Sequence, residues 1–395
     1  MENNLDTLDH LIAFRKDIHR HPELGFFEHE TARKICAYLD ELKVKYVSGL
    51  GGTGIVAQVV GARGESSDKS VGLRADMDAL PLDEHSGVQH SSLNTGRMHA
   101  CGHDGHTTML LGALRYLLTN DDFSGTVYFI FQPAEEGVGG GRAMVDDGLF
   151  TRFSINEIFG LHNWPDLPVG KFGVIAGPIM ASGDRFDIKI NGRGGHGGLN
   201  PHGCIDPIRI AAELIHKAHT IVSREIDPLS PAVLSVCAIE SGSLDGFNVI
   251  PDTAELSGTI RAIDDEARSS VRSALQRLCD SIGEYYESKI DLTIDNKFLA
   301  TVNDFDAVTS ARKVITYCFG EAALQENYKP SMASEDFSEM LAECPGAYIH
   351  VGAGDNEHTH GLHSQKFDFN DKIIPYGVEL LSNLALESLE KQSLR

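Results

Sequence analysis

The sequence predicts an α/β protein: a mixed, mostly parallel sheet sandwiched by helices, with a smaller unit of ferredoxin-like order. Three observations predict it. Short apolar runs rich in β-branched residues alternate with stretches of helical period over most of the chain, as a helix-covered parallel sheet requires. One stretch departs from that alternation and reads β-α-β-β-α-β, the split βαβ order. The chain has 395 residues, 42% of them hydrophobic, which suffices for two cores at roughly 100–200 residues per domain.

The elements follow in chain order. Leu5, Leu8, Ile12 and Phe14 set a rough helical period that breaks at His21–Pro22. Thr31 to Leu42 is helical again, with Ile35, Tyr38, Leu39 and Leu42 on one face. Strands follow at Ile55–Val60 and Val71–Ala75, separated by a Gly/Ser/Asp turn. A helix over Thr107–Leu118, an apolar strand at Val127–Phe131, a helix near Gly141–Asp147 and a strand at Glu157–Leu161 extend the alternation. Beyond Ala181 the pattern changes to a strand at Arg185–Ile190, a helix over Asp206–Val222, strands at Ala232–Ile239 and Thr253–Ala262, a helix over Glu266–Glu287 and a strand at Ile290–Ile294. The α/β alternation then resumes with a helix at Ala307–Tyr317, a strand at Ala347–Val351 and a helix near Lys372–Leu389. Periodicity leaves two arrangements open: a small unit inserted in a larger domain, or three units in series.

Composition narrows the function classes. With 57 acidic against 34 basic residues the net charge is −23, which repels phosphate backbones and anionic lipid, so neither nucleic acid nor a membrane is expected as a partner. No apolar run reaches the ~18 residues a membrane span needs. The start, MENNLDTLDH, lacks the basic-then-apolar pattern of a secretory signal. Seven scattered Cys, an odd number in a long chain, argue for reduced thiols and a cytoplasmic location.

The chemistry-bearing residues fall in short motifs. In MHACGHDGH, Cys101 and His103 offer a thiolate and an imidazole, good ligands for borderline divalent metals. No second ligand pair lies nearby, so the remaining ligands must come from distant segments; the plainer alternative is a buried Cys in a His-rich loop. In FQPAEEG, Glu135 and Glu136 directly follow an apolar strand, where open α/β sheets bind ligands. Neighbouring side chains point in different directions, so one carboxylate can hold a metal while the other takes a proton from water; a solvated acidic turn is the alternative. GLHNWP places His162 at the end of a strand with the only Trp two residues on, and LRADMDALP places Asp76 and Asp78 after another. HTHGLHSQKFDFND holds His358, His360 and His363. Each is weak alone, but a parallel sheet gathers its strand ends at one edge.

With these motifs in order, and with RKDIHRHPELGFFEHET, GRGGHGG, FNVIPD and MASEDFS beside them, the chain resembles the M20 family of metallopeptidases. The likeness is to the branch of N-acyl-amino-acid amidohydrolases, hippurate hydrolases and plant auxin-conjugate hydrolases, and it runs over nearly the whole chain. It implies two divalent metal ions held by Cys101, His103, Glu136, His162 and His363, with Cys101 bridging. A thiolate with imidazoles and a carboxylate suits zinc or manganese first, then cobalt or nickel. The resemblance further implies Glu135 as general base and Asp78 as a support of the metal site; Asp76 stands where other branches carry a His ligand, and His358 and His360 are bystanders. It implies a discontinuous catalytic domain, 1–180 and 297–395, with 181–296 inserted as a lid and dimerisation domain, hence a homodimer or higher oligomer. His196 would steady an oxyanion from its own or a partner subunit, and Asn248 and Arg261 would contact substrate. The implied reaction is hydrolysis of the amide in an N-benzoyl- or N-acetyl-type L-amino acid such as hippurate. Competing readings are an aminopeptidase or dipeptidase, an N-acetyl-diaminopimelate deacetylase, a non-catalytic metal-binding scaffold, and a thiol-redox protein using Cys101.

Overall fold

The computed structural model describes residues 2–64 and 69–392. The side chains of residues 2–6, Leu5 among them, and part of the Gly/Ser/Asp turn lie outside the described residues. Two compact units form: Met1–Ile179, Thr301–Lys329 and Asp336–Arg395 make the first, and Met180–Ala300 with Pro330–Glu335 the second. The MASEDFS motif is therefore divided between them, its first four residues in the second unit and Asp336 onward in the first.

The chain enters the first unit with helices α1 (Glu2–Arg20) and α2 (His29–Glu41), strands β1 (Lys45–Leu50), β2 (Gly54–Val60) and β3 (Ser70–Asp76), helix α3 (His103–Thr119) and strand β4 (Thr126–Gln132). Helices α4 (Gly140–Asp146) and α5 (Leu149–Arg152) and strands β5 (Glu157–Pro168), β6 (Phe172–Gly173) and β7 (Gly177–Met180) follow. The second unit holds β8 (Ser182–Asn191), β9 (Gly195–His196), α6 (Pro207–Glu225), β10 (Ala232–Ser241), β11 (Val249–Ile250), β12 (Thr253–Ala262), α7 (Asp265–Tyr286) and β13 (Lys289–Phe298). The first unit is completed by β14 (Thr301–Asn303), α8 (Phe305–Phe319), α9 (Phe337–Glu343), β15 (Gly346–Gly354) and α10 (Ile374–Gln392).

The first unit is built on a seven-stranded sheet of order β1-β2-β4-β3-β5-β15-β6. Its four central strands, β4-β3-β5-β15, are parallel, while β2 joins β4, β1 joins β2 and β6 joins β15 antiparallel. Every residue of β3 is buried, as a strand covered on both faces must be. Helices α3 and α10 pack on β3 and on each other, and α1 packs on α3. Burial of each of Leu110, Leu111, Leu114 and Leu117 of α3, all fully enclosed, contributes about 1.5–3 kcal/mol.

Two elements differ from the sequence reading. Helix α3 starts at His103, not near Thr107; His103, Asp104 and His106 break the apolar periodicity, yet all three are buried because other polar side chains meet them. Strand β5 continues to Pro168, so His162 lies inside the strand and not at its end. The extension persists because pairing with β15 runs through His350↔His162 to Gly354↔Pro168.

In the second unit the strands β10-β12-β8-β13 form an antiparallel sheet, with α6 and α7 packed on it around an apolar core including Phe186, Ile210, Leu214, Leu256 and Leu275. Its strand order is that of the ferredoxin-like unit. Asp184 of β8 is paired with Arg268 and Arg272 of α7. No described helix is long and apolar enough to cross a membrane.

Candidate active site and metal centre

Strand register brings the motifs of the first unit together. Asp76, the last residue of β3, pairs with Gln132, the last of β4. The final pair between β3 and β5 is Arg74↔Gly160, so two residues further on Asp76 and His162 stand at one level. Side chains just beyond these positions meet the first turn of α3.

His103 opens that turn, fully buried. Its Nδ1 donates to Oδ1 of Asp78 at 3.1 Å, which leaves Nε2 directed at the carboxylates: 3.8 Å from Asp76 and 3.9 Å from Glu136. Burial pushes this imidazole down, but Asp76, Asp78 and Glu136 outweigh it and raise its pKa to about 10. The other oxygen of Asp78 accepts the backbone N–H of Glu136 at 3.0 Å, so one carboxylate orients His103 and Glu136 together. Burial raises the Glu136 carboxyl, while His363 and His103 pull it below its usual range.

Cys101 is buried, with Sγ 3.4 Å from Nε2 of His162. Nδ1 of His162 donates to the carbonyl of Asn163 at 2.7 Å, which fixes the tautomer and leaves the Nε2 lone pair facing the thiol. Burial, then the neighbouring His106, holds this ring well below the usual histidine range, so it is neutral. His363, more than half exposed, reaches Oε1 of Glu136 with Nε2 at 3.5 Å; its backbone sits at φ +63° and is pinned by its N–H to the carbonyl of Ala100. Gly102 joins the two motif ligands at φ +95°, and a Cβ there would fall 2.3 Å from Oδ1 of Asn163. Only glycine meets both demands.

Glu135 follows a sharp turn in which Ala134 has φ +55° and donates its N–H to Glu28 at 2.8 Å. Glu135 is buried, and its Oε1 accepts the backbone N–H of Asp336 at 3.4 Å. Beneath it, Arg74 donates to Gln132 at 2.8 Å, Asp76 at 2.8 Å and Asp336 at 3.2 Å.

Groups whose donor atoms lie within 4.8 Å of one another include the triads Cys101/His103/His162, Cys101/Glu136/His363 and His103/Glu135/Glu136, with Asp76/His103/His106 beside them. Nε2 of His103 and Oε1 of Glu136 are buried without hydrogen-bond partners, a costly state that a cation between them would relieve. The donor set and these two orphaned atoms fit divalent metal binding. His358 lies apart, on Asp355 at 2.8 Å, and His360 is exposed. A cavity of about 1150 Å³ elsewhere on the first unit, lined by Tyr317, Leu324 and Glu387 among others, includes none of the triad residues.

The remaining sequence candidates belong to the second unit. His196 is exposed on β9, where Val249 pairs with it. Its Nδ1 accepts the backbone N–H groups of Gly198 and Leu199, both at 3.1 Å, so the proton sits on the outward Nε2. Asn248 is exposed beside it, its carbonyl accepting from Gly197. Arg261 is half-buried and donates to Ser334, and burial lowers its pKa.

Sequence reasoning missed the polar wall behind the triads. His106 binds Asp76 through Nδ1 at 2.6 Å and lies 2.5 Å from Asn163 through Nε2, so it is engaged at both ends. Asp104 is held by Arg15 at 3.0 Å and His19 at 2.9 Å. Arg15 and His19 stand four residues apart in RKDIHRHPELGFFEHET, a motif that carried the resemblance, but the spacing does not show that they meet a buried carboxylate.

A model of peptidase family M20/M25/M40 matches residues 72–387. The chain is 39% identical over 388 residues to hippurate hydrolase of Campylobacter jejuni, covering 98% of either chain. It is 36% identical over 388 residues to N-acetylcysteine deacetylase of Bacillus subtilis, covering 96% of this chain and 97% of the relative. Among solved structures it resembles a dinuclear metal binding peptidase from the M20 family of Bacillus subtilis, with 32% identity, a TM-score of 0.83, and 98% and 99% of the two chains covered.

Proposed function

The chain belongs to peptidase family M20/M25/M40 and is a metal-dependent amidohydrolase; on that premise we propose that it cleaves the amide bond of N-acyl L-amino acids, with N-benzoyl substrates of the hippurate type foremost. The observation that carries the reading is the meeting of Cys101, His103, His162, Glu136, His363 and Glu135 in triads whose donor atoms lie within 4.8 Å. Cys101, His103 and Glu136 are each common to two of those triads; together with His162 and His363 they would hold two divalent ions, zinc or manganese by donor type, with Cys101 the residue that the family resemblance would place between them. Such ions supply a water of lowered pKa and polarise the scissile carbonyl.

The protein's own groups do the rest. Asp78 accepts from Nδ1–H of His103 and so leaves Nε2 as the nitrogen that would ligate an ion, in place of the proton that the surrounding carboxylates favour there. Glu135 accepts a proton from the attacking water and passes it to the leaving nitrogen, as base and then acid. His196 offers its Nε2–H to the developing oxyanion, a donor prepared in advance by the two backbone groups on Nδ1. Asn248 and Arg261 contact the substrate, and the second unit serves as lid and dimerisation surface. The seven cysteines are free thiols, which supports a reducing, cytoplasmic setting.

A panel of N-benzoyl-, N-acetyl- and free-amine substrates, assayed with zinc, manganese, cobalt and nickel in turn, tests the reading. Hydrolysis of N-benzoylglycine is expected, and Glu135→Gln should abolish it while metal content is kept. Cleavage of free-amine dipeptides alone would replace the proposed substrate class with that of a dipeptidase. A preference for N-acetylcysteine would favour the deacetylase reading that the second relative suggests.

A further inference from the structure

An aromatic layer backs His162. Trp164, two residues along β5 and therefore on the same face, stands edge-on to the His162 ring, with centroids 6.0 Å apart at 77°. Trp164 stacks face to face on His350 at 3.9 Å and 4°. His350 is the register partner of His162 on the neighbouring parallel strand β15 and is fully buried. Nδ1 of His350 lies 2.5 Å from the hydroxyl of Tyr328, and Tyr348 stands edge-on to both histidines.

Among the described residues the His350 ring has one polar tether. Nε2 of His350 has no hydrogen-bond partner, so the Tyr328 hydroxyl is the side-chain group that sets the rotation of that ring. The near-parallel stack transmits this plane to Trp164, and Trp164 closes one side of the His162 ring. His162 also meets Cys101 at its Nε2 and the His106 ring, the latter at a centroid distance of 4.5 Å. A ligating imidazole held by several neighbours loses less freedom when it binds.

We propose that Tyr328, His350 and Trp164 form a positioning relay that holds the His162 imidazole for one of the two metal ions. The relay rests on the metal-site reading above. It would act on an ion held by Cys101, His103 and His162 and not on one held by Cys101, Glu136 and His363. Trp164 is the only tryptophan in the chain, so its emission reports on the relay directly.

The test uses full-length protein stripped with a chelator and titrated with zinc chloride, read by equilibrium dialysis and by Trp164 emission. Wild-type protein should bind two equivalents with a change in emission. Tyr328→Phe should weaken one equivalent by about 10-fold, the scale of lost support behind a metal ligand, and leave the other unchanged. Equal weakening of both equivalents, or wild-type binding of both with an unaltered emission change, overturns the relay alone. Uptake of no zinc by wild-type protein overturns the metal-site reading and the relay with it. If Tyr328→Phe does not fold, Trp164 variants decide by dialysis: Trp164→Phe keeps a ring on His350 and should retain both equivalents, while Trp164→Leu should weaken one. Identical zinc binding by the two Trp164 variants overturns the relay.

Discussion

Nδ1 of His19 lies 2.9 Å from Oδ2 of Asp104, tying the last turn of α1 to the first turn of α3. Arg15 grips the same oxygen at 3.0 Å, and Nε2 of His19 reaches Glu84 at 3.3 Å. Burial pushes the His19 imidazole down, but Asp104 and Glu84 outweigh it and raise its pKa to about 9. A histidine raised in the folded state stabilises fully below its unfolded pKa, about 6.5, and the gain is lost as pH rises through the folded value. The part of the unfolding free energy that His19 contributes, measured in urea, should therefore fall between pH 6.5 and 9, beside the decline that His103, raised to about 10, adds in protein without metal. His19→Gln should be less stable at neutral pH and show a shallower decline; an equal decline in both proteins would assign it wholly to other groups.

The contact between α1 and α3 shows what the sequence disclosed and what it hid. Glu135, Glu136 and His162 stood out because such residue types fell next to apolar strand runs, whose ends a parallel sheet collects, and Cys101 and His103 because a thiol and an imidazole stand two apart in a His-rich motif. Arg15, His19, Arg74 and Asp104 did not. Buried charges look like solvated ones in a periodic pattern, since only tertiary pairing distinguishes them. The extension of β5 through Trp164 to Pro168 was hidden for a related reason: NWPDLP reads as a loop, and it is pairing with β15 that keeps it extended. Apolar runs marked β2 but not its direction, and did not mark the antiparallel edge strands β1 and β6 at all, so the mixed sheet was expected without its edges being placed. The division of MASEDFS between the two units leaves no local trace at all.

Gly102 is the most exacting position in the loop that carries Cys101 and His103. Its φ of +95° disfavours any side chain, and an added Cβ would collide with the buried amide of Asn163. Asn163 in turn contacts His106 through its side chain and backbone, so the collision spreads to the wall behind Asp76. Gly102→Ala should lower bound metal per subunit and reduce the melting temperature. Gly96→Ala is the control: φ there is +74° with nothing within 4 Å of an added Cβ, so it pays only the backbone strain of about 1–2 kcal/mol. Metal content unchanged in Gly102→Ala would show that the loop tolerates the shift.

Arg74 links the two halves of the candidate site. Its guanidinium bonds Asp76, which faces His103 and His106, and Asp336, whose backbone N–H reaches Glu135. It also bonds Gln132 and lies 5.5 Å from the centre of the Phe337 ring. Three acceptors at fixed angles suit the planar fork of arginine and not the single ammonium of lysine. Arg74→Lys keeps the buried charge, so the fold should survive while the base loses its placement. The expected result is a kcat lower by about 10-fold with KM unchanged, the range found when support behind a site is lost. Arg74→Met removes the charge and leaves two enclosed carboxylates without it, which should cost about 3–5 kcal/mol in urea unfolding. A wild-type kcat in Arg74→Lys would confine Arg74 to stability; a loss shown wholly in KM would place its action on substrate binding and not on Glu135.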